Sequence, residues 1–481
     1  LQDQPDEMME ISRMFYIFIG NLFSMKNLFR FFPLFFLVLF LALFLITGFT
    51  TGLADLSREL KGQYDYKDFE SAAKCRSCHG GLYEQWSQAM MSQAFTHHWD
   101  EIEYFDLAVA HAEKDPSLAE AVDGCNGCHT PMAYLAGDLP PARPEENTMA
   151  NESVSCEACH LIQGTTTDPP FNYSYMMEPG NTKYSSRGKG NDSPAHRIVS
   201  SEFFRTTEFC GTCHNEKSPF GVWVKSTQIE WKEGPYAEEG VRCQDCHMPE
   251  APYQTAMMGK TYNDARLHLF HGAHDPGKVR GTVELRIQPD IRLAEPGETV
   301  VFTVALFNQK TGHKFPTGSV EDRILWLQVE ATDASGKTWI LPVDKKGFEG
   351  EEYTIAGEEL AYQDMGIPLG IENFEGVQRD GIPAGNRIFR MPYFDPEGRM
   401  TIMQWNTASL GVDYRIGPRE TRMETYTFRL PFETAPGIMK VRAILNYQLL
   451  VKPVAGFLNV PEDESEIKTV NEHVTSLEIL P

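Results

Sequence analysis

Basic residues are under-supplied in this 481-residue chain: 43 Lys and Arg stand against 67 Asp and Glu, a formal net charge of −24. A surface of that sign repels phosphate backbones and anionic headgroups, which excludes nucleic acid as a partner and argues against docking on anionic lipid. Cysteine outside one repeated pattern is missing altogether. None of the ten precedes Cys75, so no lipid-modified cysteine marks an export cleavage site, and none follows Cys246.

What is present is one pentapeptide, CxxCH, in five copies that use every cysteine. They are Cys75-Arg76-Ser77-Cys78-His79, Cys125-Asn126-Gly127-Cys128-His129, Cys156-Glu157-Ala158-Cys159-His160, Cys210-Gly211-Thr212-Cys213-His214 and Cys243-Gln244-Asp245-Cys246-His247. The chain's composition alone would yield only about 0.006 such matches. A disulfide framework gives no reason for histidine after every second cysteine. A zinc site would draw its ligands from one or two pairs rather than repeat a fixed Cys-His ending five times. The spacing suits c-type haem attachment: two thiols form thioethers to the vinyl groups, and the adjacent imidazole becomes the proximal iron ligand. Five covalently bound haem c groups are expected, with His79, His129, His160, His214 and His247 proximal.

Attachment of this kind happens outside the cytoplasm and requires export. Met25 to Arg30 reads as a positive n-region, Leu34 to Ile46 as the apolar h-region, and Gly52-Leu53-Ala54 as the small residues of a cleavage site. Cleavage after Ala54 is the expectation. The competing reading is an uncleaved anchor, since Phe31 to Phe49 nearly suffices to span a bilayer. Either way the protein is placed in the periplasm or the extracellular space.

Three regions follow: 1–54 as export signal or anchor, 55–275 as a pentahaem domain, and 276–481 without haem motifs. The motif-bearing stretch has about 35 residues per haem, too few for a separate polypeptide core around each. The macrocycles must largely be the core there, wrapped by helical pieces, turns and loops with little sheet. Motifs two and three lie close together in sequence, as do motifs four and five, which predicts two close haem pairs.

From Gly281 onward the pattern becomes alternation. Val283, Leu285 and Ile287 alternate with polar residues, as do Leu325, Leu327 and Val329. The same period runs through Tyr426, Phe428 and Leu430, then Val441 to Leu449. The expected fold class is therefore α + β: a mostly helical and loop multihaem domain followed by an antiparallel immunoglobulin-like β-sandwich, with a barrel as the alternative.

These motifs and several further segments resemble the cytochrome c-554 group of multihaem cytochromes, in versions that append a β-sandwich. The likeness rests on Cys75 to His79 with Trp86 and Met90-Met91, Val154 to His160, Ser193-Pro194-Ala195-His196, Val241 to Pro249, His268-x-Phe270-His271, and Thr311 to Gly318. Nine histidines remain beyond the proximal five. The resemblance makes His196 a candidate distal ligand. His268 and His271 lead the cluster after the fifth motif, and His313 lies in a Gly- and Pro-held turn that would present it rigidly. Relatives carry a ligand histidine five residues after the tryptophan, where this chain has Met91. Either the Met91 thioether binds iron and raises one potential, or it packs on porphyrin and His97 or His98 ligates.

Two function classes fit. One is an electron conduit between redox partner proteins, for which this acidic chain would suit a basic partner surface; acidity that merely keeps an exported protein soluble is the plainer account. The other is a reductase or oxidase of nitrite, hydroxylamine or nitric oxide at one open haem. A third role is assembly into a haem-lined filament or a membrane complex. No motif ends in lysine and nothing marks one haem as catalytic, so electron transfer without catalysis is the leading expectation.

Overall fold

Each CxxCH sits on a short helix because thiols three positions apart on helical backbone fall on one face, with the histidine one position on. In the computed structural model the helices Ala119–His129, Cys156–His160, Glu208–His214 and Cys243–His247 all end on the motif histidine. The first motif lies inside Ala72–Trp86, where the backbone leaves helical geometry at His79 (φ −109°, ψ 37°). The histidine thus stands at a break or an end in every case, free to turn away from the helix axis. The structure describes residues 60–188, 193–344, 360–362, 366 and 380–481. The expected export segment, 1–54, lies outside them. Among the described residues no helix is long and apolar enough to cross a membrane.

Between and just after the motif helices run four two-stranded ribbons. β1 (Ile162–Thr165) pairs with β2 (Tyr175–Met177), and β3 (Thr182–Ser185) lies parallel to β4 (Arg197–Ser200). β5 (Asn215–Lys217) pairs with β6 (Trp223–Ser226), and β7 (Glu250–Gln254) with β8 (Thr261–Arg266). The segment Glu103–Val109 is π-helical, and buries Glu103, Tyr104, Leu107 and Ala108.

The C-terminal half is sheet. β9 (Val283–Pro289), β11 (Thr299–Asn308) and β18 (Thr421–Arg429) form a three-stranded antiparallel sheet with β11 central, Phe302 opposite Tyr426 and Leu306 opposite Leu285. A second sheet runs β10 (Leu293–Ala294), β20 (Ile467–Ile479), β19 (Gly437–Gln448), β12 (Ile324–Thr332), β13 (Thr338–Leu341), with β14 (Arg387–Phe389) also on β12. Its edge pair β10–β20 is parallel, a departure from all-antiparallel pairing. The alternation seen in sequence is realised at Val283, Leu285 and Ile287, which are buried, and β11 buries Val300, Phe302, Val304 and Leu306 in the same way. Trp326, on the polar side of the sequence pattern, is buried as well, at 3% exposure. Residues of both sheets and of the helical stretch from Phe95 to Ala150 share one apolar cluster, and Lys61–Pro481 forms a single compact unit. The region is β-rich, and the haem-motif region is helical with small ribbons.

Candidate haem centres

None of the ten motif cysteines is joined to another in a disulfide. Several meet across motifs: Cys75 with Cys156, Cys128 with Cys213, and Cys210 with Cys243. Cys159 also lies within electrostatic reach of Cys213. The pairing of motifs four and five expected from spacing is therefore present. The expected neighbour of motif two is not motif three; the structure sets motif two against motif four, and motif one against motif three. Chain folding overrides sequence proximity here: residues 130–155, with the helix Pro131–Ala136, separate motif two from motif three, and Cys128 meets Cys213 instead.

Backbone carbonyls orient the proximal imidazoles. His79 Nδ1 lies 2.6 Å from the Thr255 oxygen, His129 Nδ1 2.7 Å from Ala94, His160 Nδ1 2.7 Å from Tyr184, and His247 Nδ1 2.8 Å from His271. A carbonyl only accepts, so in each case Nδ1 donates and Nε2 keeps its lone pair, the arrangement a metal-ligating histidine requires. Burial presses His160, His214 and His247 toward the neutral form, His247 to about 4.

Three other histidines face proximal ones. The ring centres of His79 and His196 are 6.2 Å apart, those of His160 and His268 6.3 Å, and those of His247 and His313 6.5 Å. An iron held between two imidazoles, with Fe–N bonds of about 2 Å and ring centres about 1.1 Å beyond each nitrogen, requires roughly 6.3 Å. The gaps match that requirement. His268 Nδ1 and His313 Nδ1 are engaged by the carbonyls of Arg266 (3.0 Å) and Lys314 (2.9 Å), which again leaves Nε2 free. The Gln85 side chain, on the first motif's helix, accepts from the backbone N–H of His268 at 2.7 Å. The donor set, its spacing and its protonation all fit haem iron.

The loop bearing His313 is clamped by residues that sequence reasoning did not single out. Glu230, on the helix Thr227–Lys232, accepts from Arg415 Nη1 (2.8 Å), Lys314 N (3.2 Å) and Thr317 Oγ1 (2.7 Å). Arg415 and Lys314 both reach Asp413, at 2.9 and 2.7 Å. Burial pushes the Asp413 carboxyl up, but the two cations outweigh it and hold it near about 2. The Tyr236 hydroxyl donates to the Gln309 carbonyl at 2.8 Å, and the Asn308 and Thr311 side chains donate to the His313 carbonyl.

The remaining candidates lie elsewhere. His271 lends its carbonyl to His247 while its ring pairs with Asp275 at 3.0 Å, so it does not face a proximal imidazole. Met91 is half-buried and its carbonyl accepts from Val154 at 3.1 Å, beside the third motif. His97 and His98 turn toward Glu464. His111 accepts from Trp405 Nε1 at 3.2 Å, and His473 accepts from the backbone of Ile287 at 3.3 Å. Among the described residues no imidazole faces His129 or His214 at a ligating distance.

Near those two histidines is a buried polar cluster. Lys225, whose pKa is pulled down by burial and raised more strongly by its acidic neighbours, bonds Glu216 at 2.6 Å and lies within electrostatic reach of His214 and Cys125. Burial holds the Glu103 carboxyl up at about 8 and Glu321 at about 7. Both Glu321 oxygens, Glu103 Oε1 and Asp322 Oδ1 are buried without a hydrogen-bond partner.

Residues 74–161 match the family model described as cytochrome c554 and c-prime, and residues 197–280 match the N-terminal region of the NapC/NirT cytochrome c family. No curated protein sequence matches the chain. Among solved structures, a penta-heme cytochrome c552 from Thermochromatium tepidum is similar over 85% of this chain and 99% of its own, at 18% identity and a TM-score of 0.60. The CARDB domain of a Pyrococcus furiosus protein covers 41% of this chain and 87% of its own at 9% identity, with a TM-score of only 0.17. Two distinct cytochrome family models fall on successive parts of the motif-bearing stretch, and the fold is shared with a penta-heme protein nearly end to end. The motif-bearing stretch is that of a multihaem c-type cytochrome, a family that binds haem c covalently, and a β-rich region follows it.

Proposed function

We propose that this protein is a pentahaem electron relay working outside the cytoplasm, in the periplasm or beyond it, between a donor and an acceptor protein. The observation that carries this reading is the set of thiol contacts across motifs. Thioethers sit on the porphyrin edge, so two cysteines in contact bring two porphyrin edges together. The contacts join motif one to three and motif four to both two and five, and Cys159 of motif three lies within electrostatic reach of Cys213 of motif four. Cys78 and Cys246, at the first and last positions of that series, are the two exposed thiols. Haem c supplies reversible one-electron iron chemistry when bound. The chain's own residues fix the spacing and hold four of the five proximal imidazoles, those of His79, His129, His160 and His247, by Nδ1.

In this reading His79 with His196, His160 with His268, and His247 with His313 would each hold a haem iron. Met91 remains the candidate second ligand for an iron lacking a facing imidazole. The residues divide into an export segment (1–54), a pentahaem domain (55–275) and an immunoglobulin-like sandwich (276–481) that lends His313 to the haem domain and offers a surface for a partner, a second copy or a membrane complex.

A second reading has its own observation. His129 and His214 lack a facing imidazole, and the buried acids Glu103 and Glu321 with Lys225 lie nearby, a setting suited to proton delivery at an open iron. That would make the protein a reductase of nitrite or hydroxylamine. Two measurements decide. Denaturing mass spectrometry of the matured protein should show five covalent haems, and fewer, with free thiols at a missing motif, overturns the count. The reduced protein offered nitrite or hydroxylamine should show no sustained turnover; steady consumption replaces the relay with the reductase.

A further inference from the structure

We propose that His97, His98 and Glu464 form a binding site for a divalent first-row cation, zinc being the ion of choice, separate from the haem irons. Glu464 Oε1 lies 3.1 Å from His97 Nε2 and 3.1 Å from His98 Nε2. The ligand atoms of the three residues lie within 4.8 Å of one another. A tetrahedral ion with bonds of about 2.0–2.1 Å separates its ligand atoms by roughly 3.3 Å, so these atoms need little movement to close on one centre.

The surroundings are those of a metal site. Asp100 Oδ2 lies 3.4 Å from His97 Nδ1, on the far side of the ring, placing a carboxylate behind a ligand imidazole. The His274 ring centre is 5.5 Å from that of His97, close enough to offer a fourth donor, and Lys468 ties the chain there through the carbonyls of Ala273 and His274. His97 and Glu464 are mostly buried, whereas the His98 side chain is 42% exposed, which gives an ion a way in. Two imidazoles and one carboxylate are a set that zinc takes readily, with the fourth position open to His274 or water. None of the five proximal imidazoles faces this cluster, so the site does not depend on how the haem irons are ligated.

The site joins residues 367 apart in sequence, the helix His98–Ile102 and the short helix Glu462–Ser465. A bound ion would therefore staple the haem-bearing part of the chain to its C-terminal part.

The test is elemental analysis of the full, haem-loaded protein after equilibration with zinc and removal of free metal. One zinc per chain, beyond the haem iron, is expected. His98→Ala and Glu464→Gln should abolish it, and Asp100→Asn, acting through His97, should weaken it about tenfold, with the haem absorption spectrum unchanged in all three. Absence of zinc from the wild-type protein, or its retention by both ligand variants, overturns the proposal. A low-spin haem turning high-spin in His98→Ala also overturns it, since that histidine would then serve iron.

Discussion

His313 is the residue through which the β-rich region would reach a haem. Its ring centre stands 6.5 Å from that of His247, and its loop is fixed on several sides. His313→Ala should convert one low-spin haem to high spin, seen as a new ferric charge-transfer band; an unchanged spectrum would make the residue structural only. The histidine was legible in the sequence because Gly312, Pro316 and Gly318 mark its turn. Glu230 was not, since a glutamate in a short polar helix gives no hint that it will be buried under Arg415. Glu103 offers a second test at this scale. Burial holds its carboxyl at about 8 against an ordinary 4.5, so between those values the folded chain keeps a proton that the unfolded chain has lost. Its contribution to stability is thus greatest below the ordinary value and declines as pH rises to about 8. Thermal unfolding across that window should show a shallower decline in Glu103→Gln than in the wild-type protein, and equal slopes would refute the assignment.

Among the elements, the motif helices were readable because CxxCH carries its own geometry. Their mutual arrangement was not. Spacing along the chain pointed to a pairing of motifs two and three, whereas Cys128 meets Cys213. Sequence distance sets which segments are joined, and the ribbons between them decide which ones touch. Part of that decision is visible at Gly127, where the Tyr173 ring lies so close that a Cβ would collide with it, and where the Tyr175 hydroxyl donates to the glycine carbonyl at 2.8 Å. The helix Thr227–Lys232 has a comparable role toward the His313 loop. Truncating Glu230 to Ala leaves Asp413 as the carboxylate paired with buried Arg415 and should cost about 3 kcal/mol. Chemical denaturation would read this, and a loss below about 1 kcal/mol would show that Asp413 suffices. The strands β9, β12, β18 and β19 were legible from alternation, although β12 buries Trp326 on its other face as well. The parallel β10–β20 edge was not, because two residues are too few to leave a pattern.

At the scale of the whole molecule, a formal charge of −24 sets the kind of partner that approaches productively. A protein with a basic face should be steered toward the chain, and its electron-exchange rate should fall steeply as salt is raised from about 0.01 to 0.15 M, the range over which the screening length shrinks from about 30 to 8 Å. Stopped-flow reduction at several ionic strengths measures this. A flat or rising dependence would mean that acidity serves solubility and that docking is apolar. Composition made this expectation available directly, whereas the contacts joining the chain's two ends, such as Glu464 on His97, depend on the finished fold and leave no local trace.

The clamp on His313 also has a history in time. A chain that emerges from its N-terminus presents the fifth motif, Cys243 to His247, well before His313, and His313 well before Asp413 and Arg415, which secure its loop. If His313 serves the haem of the fifth motif, thioether formation at Cys243 and Cys246 would be complete while the opposite side of that iron was still bare, and closure would wait until Asp413 and Arg415 had arrived and paired. Assembly of the proposed electron path would then finish from the C-terminus, and a chain cut short within the β-rich region is expected to carry its haems and still end in an unfinished centre.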